Sequence, residues 1–420
     1  MKIAAVRVTP IAISDPPLLN ASGVHEPFAL RSIIEVETDN GLVGLGETYG
    51  DKPVLDGLLR VKDRLAGLSP FDLNGLRQRV LSVGPSPVEG VQLDVAPGSQ
   101  ASKSEHKVFG AFEVAFLDLQ ARSLDLPVHA LLGGAVRRKV PFSAYLFFKF
   151  ASDIDPSYRP DTWGPALDAE GIVAQARTMI DRYGFGSIKL KAGALDPDLE
   201  AECLKALKRA FPNHPLRIDP NANWSLDTAI RVAKRLQGDL EYYEDPTPGL
   251  EGMSELHRVT GLPLATNMVV TDMKEFRRNI ALNGAQIVLS DHHYWGGLRA
   301  TQMLATMCDT FGLGLSMHSN SHVGISLMAM SHLAAAVPNL TYACDTHYPW
   351  QEDEVIRGGK IPIVDGCVTV TDAPGLGVEL DRDALAALHE QYLRSGITNR
   401  DDVSQMRKFR SDWTRVKPRY

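Results

Sequence analysis

Cysteine is scarce in this 420-residue sequence: four, at positions 203, 308, 344 and 367, with no CxxC pair. That excludes a disulfide scaffold and a cysteine-rich zinc module, and predicts buried, reduced thiols. No stretch approaches the roughly 18 consecutive apolar residues of a membrane helix. Residues 1–8 have neither the apolar core nor the small-residue cleavage site of a secretory leader, and read as a strand. A cytoplasmic protein is the expectation. Charge of one sign is not in excess: 44 Lys and Arg face 51 Asp and Glu, a net −7, which offers no field to nucleic acid or an anionic membrane. An anionic ligand would have to be met by local positive charge. No GxxxxGK[ST] exists, so there is no P-loop. Gly44-Leu45-Gly46-Glu47-Thr48-Tyr49 lacks the third glycine of a dinucleotide-binding turn. What remains is an ordinary globular composition, 44% apolar and 23% charged. The length suggests two or three domains, or one large barrel with an attached domain.

The texture changes along the chain. Residues 1–135 read as an α+β unit: Arg31–Glu37 is strand-like, Asp39-Asn40-Gly41 marks a hairpin turn, and Leu42–Glu47 returns. Helical patterns follow at Val54–Leu65 and Gly110–Ser123, the second with Phe112, Ala115, Phe116 and Leu119 on one face. Residues 136–370 alternate short apolar strands with helices. The strands are Val140–Phe147, Ser187–Lys191, Leu216–Asn221, Glu241–Asp245, Leu262–Asn267, Ala285–Asp291, Leu313–His318 and Thr341–Asp345. Eight such units in about 210 residues fit an α/β fold, a closed (β/α)8-type barrel, better than an open sheet. Residues 371–420, with an amphipathic Asp383–Arg394, are expected to pack back on the first unit as part of a cap.

Barrel enzymes work at the C-terminal ends of their strands. Those ends carry Lys189 and Lys191, Asp219 and Asn221, Glu244, Asn267, Asp291 and His318. One Asp before a helix is usually a cap; six consecutive strands ending in polar residues form a constellation. Residues i and i+2 of a strand share a face, so Lys189 and Lys191 project together, as do Asp219 and Asn221. Two adjacent ammonium groups repel, which predicts a lowered pKa and a base near neutrality. Asp219, Glu244 and Asn267 offer three hard oxygen ligands, suited to Mg2+ with room for a substrate carboxylate. Asp291 and His318 can form a dyad in which the carboxylate orients the imidazole. A metal between two bases suits removal of the proton α to a carboxylate. Loss of a β-hydroxyl would complete a dehydration, and reprotonation from the other face would give racemisation. His318 and His322 at i, i+4 leave a zinc hydrolase as a competing reading, and a non-catalytic sugar-acid-binding protein as another.

Lys189-Leu190-Lys191, Asp219-Pro220-Asn221, Glu244-Asp245-Pro246, Asp291 and His318 together resemble the enolase superfamily, in its mandelate racemase-like branch. Residues 265–268, 290–295 and 318–322 are similar to the D-glucarate dehydratase family, in which asparagine is the third metal ligand. The resemblance implies a modified TIM barrel with an α+β capping domain. It also implies Mg2+ on Asp219, Glu244 and Asn267, His318 with Asp291 as base for D-glucarate, and Lys191, aided by Lys189, as base for L-idarate. The implied product is 5-dehydro-4-deoxy-D-glucarate. Asn20, His25, Tyr145, Asn221, Ser319, His347 and Arg400 are implied to contact the sugar diacid. A homo-oligomer is the expectation for its assembly. Other aldarates such as galactarate remain open as substrates. Ala96–His106 departs from the family where a threonine-containing contact is expected.

Overall fold

Apolar alternation makes Ile3–Ser14 a strand, paired antiparallel with Phe28–Thr38 over almost its full length. The turn at Asp39-Asn40-Gly41 then returns the chain as Val43–Tyr49, with the Thr38 N–H bonded to the Leu42 carbonyl. In this computed structural model, which describes residues 1–84 and 103–420, that three-stranded sheet covers the helix Ser104–Ser123. The two glycines of Gly44-Leu45-Gly46 have a packing role. A Cβ at Gly44 would lie 2.2 Å from the Ala115 carbonyl oxygen, and one at Gly46 2.3 Å from that of Ala111. The backbones touch there, which only glycine permits. Phe112, Ala115, Phe116 and Leu119 are fully buried in the resulting core with Ile34 and Val36. The opposite face of the helix is buried too, because it meets the barrel: Glu113 accepts the Leu298 and Arg299 N–H groups at 2.8 and 3.1 Å.

Seven parallel strands follow in chain order around the sheet: Ala144–Phe147, Ile188–Lys191, Leu216–Asp219, Leu240–Glu244, Leu264–Thr266, Ile287–Ser290 and Gly314–Met317. Each is followed by a helix, most of them capped by a side chain: Asp168, Asp196, Ser225 and Asp272 each accept a first-turn N–H. Two expectations need correction. Val140–Phe147 is split: Lys139–Pro141 pairs antiparallel with Cys367–Thr369, and the barrel strand begins only at Ala144. Pro141 has no N–H with which to continue a ladder. Thr341–Asp345 is not a regular strand. It still bridges the gap, through Asp345 N to Met317 O and Ser143 N to Cys344 O, 2.8 and 2.9 Å. Its ladder is interrupted because the Ala343 carbonyl is taken by the Arg217 guanidinium and the Ser316 hydroxyl.

The C-terminal helix Arg382–Ser395 lies on the first strand, with His389 Nδ1 2.7 Å from Pro10 O and Gln391 bonded to Ala12 O. Helix Asp402–Arg407 abuts Gly23, where a Cβ would come within 2.3 Å of the Asp402 carbonyl oxygen. Cys203, Cys308 and Cys344 are buried free thiols and Cys367 is half-buried. Among the described residues no helix is long and apolar enough to cross a membrane.

Candidate active site

The apolar strands end in charge. Lys189 and Lys191 close the second strand, Asp219 the third and Glu244 the fourth, all buried. Lys189 Nζ straddles the Glu244 carboxylate at 2.7 and 2.6 Å and reaches Asp345 Oδ2 at 2.8 Å and Asp219 Oδ2 at 3.5 Å. Lys191 Nζ lies 2.6 Å from Asp219 Oδ2 and 3.1 Å from Asn221 Oδ1. The alternation predicts Asn221 inside the strand, and the structure places it outside. The strand stops at Asp219, and Asn221 and Ala222 form a left-handed turn, φ 56° and 58°, with Asn221 N bonded to Asp219 Oδ1. Asn reaches the site through that turn, a backbone region it tolerates better than most residues.

The lysine pair does not have the lowered pKa that its spacing predicts. Burial pushes both ammonium groups down. The Asp345 and Glu244 carboxylates outweigh this at Lys189, and Asp219 with Tyr145 does so at Lys191, so both end up raised. Mutual repulsion is the weaker effect because carboxylates stand between and around the two charges. Asp345, at the end of the eighth segment, was absent from the strand-end reading. It also accepts from Ser143 Oγ at 2.7 Å and pairs with Arg217 at 3.4 Å.

Asn267 follows the fifth strand. Its amide nitrogen donates to Glu244 Oε1 at 2.9 Å and its backbone N–H to Asp245 Oδ2. Its Oδ1 is buried without a hydrogen-bond partner. An orphaned amide oxygen beside two carboxylates on adjoining strands is an arrangement a hard divalent cation satisfies, so Asp219, Glu244 and Asn267 fit Mg2+. Asp245 behind them is pushed up to about 7 by burial and then by Asp219.

On the other side of this ligand set, His318 follows the seventh strand and Asp291 the sixth. His318 Nδ1 is 3.5 Å from Asp291 Oδ2 and 3.3 Å from the Tyr294 hydroxyl. The Tyr294 hydroxyl hydrogen-bonds Nδ1 and the Asp291 carboxylate stands beside it, which leaves Nε2 as the nitrogen available to a ligand. Burial lowers the His318 pKa, with Asp291 opposing. Asp291 itself is held well below the usual carboxylate range: burial raises it, but His293 and His318 dominate. Asp291 also caps the short helix His292–Trp295, so the cap reading and the dyad reading both apply to one residue.

Asp291, His292 and His293 bring three potential ligand atoms within 4.8 Å of one another. Both ring nitrogens of His293 are already engaged, Nδ1 by Asp291 and Nε2 by Ser326 and the Arg31 guanidinium. A cation beside a fixed guanidinium is electrostatically disfavoured. His322 faces Thr346 Oγ1 and Val323 O and does not join His318, which removes the zinc-pair geometry.

The remaining predicted residues converge on the same mouth. Tyr145 lies under Lys189 Nζ, 4.6 Å from its ring centroid, and packs on His347 at 5.0 Å. His347 stacks on His25 at 5.9 Å. Burial pushes His347 well down, and His25, His318, Arg400 and Lys191 all push it the same way. Ser319 Oγ donates to Asp345 O. Asn20 and Arg400 meet at Asp402: Asn20 donates to Oδ2 at 2.7 Å, and Arg400 forms a fork at 2.7 and 3.1 Å. The guanidinium edge expected to grip a ligand carboxylate is therefore held by Asp402. Asp15 joins the cluster, 3.0 Å from His25 Nδ1 and 3.5 Å from Arg400. Neither Asp15 nor Asp402 carries a periodic or strand-end signal, and both escaped the sequence reading. Of Ala96–His106, residues 96–102 lie outside the described residues. Lys103 pairs with Asp272 and His106 with the Tyr294 carbonyl.

A family model described as Enolase C-terminal domain-like matches residues 171–384. A probable glucarate dehydratase of Streptomyces coelicolor is 50% identical, over 98% of this chain and 97% of its own length. An enolase of Pseudomonas fluorescens, solved with bound magnesium, potassium and tartrate, superposes with TM-score 0.97 at 66% identity, covering 100% of this chain and 99% of that one. An enolase of Thermobispora bispora complexed with magnesium and formate gives TM-score 0.96 at 52% identity, with all of both chains covered.

Proposed function

The chain belongs to the enolase superfamily, and from that premise we propose that it is a hydro-lyase acting on six-carbon sugar diacids. Its substrate in this reading is D-glucarate, with the epimer L-idarate, and its product 5-dehydro-4-deoxy-D-glucarate. The observation that carries the reading is a pair of candidate bases, Lys191 and His318, on either side of the oxygen ligands Asp219, Glu244 and Asn267. The magnesium of the Pseudomonas and Thermobispora relatives and the glucarate dehydratase of Streptomyces support it.

When held by Asp219, Glu244 and Asn267, Mg2+ supplies positive charge to the carboxylate whose neighbouring proton is removed. Two carboxylates and a neutral amide around a divalent ion, with the Lys189 and Lys191 ammonium groups alongside, favour an anionic substrate. His318 Nε2 takes the α-proton of D-glucarate, and Asp291 on Nδ1 stabilises the imidazolium. The same imidazolium then protonates the departing hydroxyl. Lys191 serves the epimer from the opposite face as the neutral amine, after its ammonium has given up its hydrogen bond to Asp219 and lost a proton to solvent. Tyr145, Asn221, Ser319 and His347 line the sugar, with Asn20, His25 and Arg400 toward its far end. Residues 1–135 and 371–420 form the cap over a barrel of 136–370, in a cytoplasmic homo-oligomer.

The test is formation of a 2-keto acid by the purified protein with Mg2+ across a panel of six-carbon aldarates. D-glucarate and L-idarate are expected to turn over. Preference for galactarate would replace the substrate, and silence across the panel would overturn the reading.

A further inference from the structure

The dyad of His318 and Asp291 stands on the barrel, yet the residues behind it come from the N-terminal hairpin. Asp291 Oδ1 receives two hydrogen bonds from His293, the backbone N–H at 2.9 Å and ring Nδ1 at 2.7 Å. The other ring nitrogen, Nε2, lies 3.1 Å from Arg31 Nη2 and 2.9 Å from Ser326 Oγ. A guanidinium has only donors, so Nε2 accepts, and the ring proton belongs to Nδ1, pointed at Asp291. Arg31 in turn is locked by Glu47 on the neighbouring strand, Nε to Oε1 at 2.8 Å, with both side chains buried. Glu47 also accepts the backbone N–H groups of Val323 and Ser326, at 3.0 and 2.8 Å. Those N–H groups open the helix Gly324–Ala336, which follows the loop carrying His318. The hairpin thus grips the loop after the sixth strand through Arg31 and the helix after the seventh through Glu47.

We propose that His293, held by Arg31 and Glu47 of the N-terminal hairpin, is a positioning residue that fixes the Asp291 carboxylate for His318. Asp291 has one oxygen for each histidine. With Oδ1 tied by two donors, rotation of the carboxylate is restrained, and Oδ2, which has no other partner, stays 3.5 Å from His318 Nδ1. Without His293 Nδ1–H, Oδ1 loses its side-chain donor, and the carboxylate gains freedom to rotate away from His318. The inference rests on the dehydratase reading, because the function it perturbs is proton removal by His318.

The experiment uses full-length protein with Mg2+ and compares His293→Leu with His293→Asn, whose side-chain amide can replace the Nδ1 donor. His293→Leu is expected to lower kcat on D-glucarate by about 10- to 100-fold, the usual effect of losing a partner that orients a reacting group. KM is expected to stay within about threefold. Exchange of the α-proton of L-idarate in D2O, the Lys191 route, is expected to persist at the wild-type rate in both variants. His293→Asn is expected to recover most of the D-glucarate rate. An unchanged kcat in His293→Leu would overturn the proposal. So would equal loss of both routes, which would mean general damage to the site, or failure of the Asn variant to recover. If the wild-type protein turns over no aldarate, the dehydratase reading itself is what fails.

Discussion

His318 and Lys191 stand at the ends of different strands and are held by different partners, so their removal should separate cleanly. His318→Asn is expected to lower D-glucarate turnover by about 10²- to 10⁴-fold, the range for losing a general base, with α-proton exchange through Lys191 persisting. A keto-acid assay and NMR in D2O read the two routes, and full D-glucarate activity in the variant would remove His318 from the reaction. Asp345 predicts a different kind of loss. It is fully buried between Lys189 and Arg217, and Asp345→Ala removes one carboxylate from each while Lys189 keeps Glu244 and Arg217 keeps Glu241. Losing a charged hydrogen bond of this kind costs about 1.5–3 kcal/mol, which urea unfolding of the metal-free protein would register; an unchanged midpoint would mean that solvent reaches these charges. At this scale the candidate bases and ligands are legible because each stands where an apolar strand runs out. The sign of the lysine shift is not, because the sequence sets Lys189 beside Lys191 but not the carboxylates that other strands bring between them.

Strands and helices were legible through their periodicity, and their faults have local causes. The eighth segment has strand composition, but the carbonyl of Ala343 is diverted to Arg217 and Ser316. No spacing along the segment could reveal that. The spacing over Gly110–Ser123 predicts one buried face; the helix, Ser104–Ser123, has two, since the three-stranded sheet covers one side and the barrel the other. Glu113 marks the second face, and its pKa is pushed up to about 7 by burial, against the two N–H groups it accepts. An acid that is harder to ionise in the folded chain adds stability that is full below its ordinary value of 4.5 and is lost as pH rises through about 7. The Tm of the wild-type protein is therefore expected to fall relative to Glu113→Gln across that window. Scanning calorimetry over pH checks this, and a constant difference between the two proteins would show that the N–H donors outweigh burial.

For the whole molecule, the parallel strands carry Lys189, Lys191, Asp219 and Glu244 at their ends, and residues from both ends of the chain meet one another nearby. Asn20, His25 and Arg400 are distant in sequence and joined by Asp15 and Asp402. Resemblance alone singles out the three, since contacts between the segment after the first strand and the segment leading into the last helix leave no trace in local pattern. The ligand set makes a further claim. Mg2+ is expected to raise the Tm, by an amount corresponding to about 2.7 kcal/mol at a hundredfold excess over its Kd. Asp219→Asn should abolish that rise, and EDTA should inactivate the wild-type protein, with Mg2+ restoring activity better than Zn2+. A Zn2+ preference would point back to a hydrolase. The most direct test of the account is a proton NMR record of D-glucarate with the purified protein and Mg2+ in D2O. Removal of the C5 proton, loss of the C4 hydroxyl and ketonisation of the resulting enol predict a 5-keto product carrying one solvent deuteron at C4. Deuterium at C5 with the C4 hydroxyl retained would mean epimerisation without dehydration, and would contradict it.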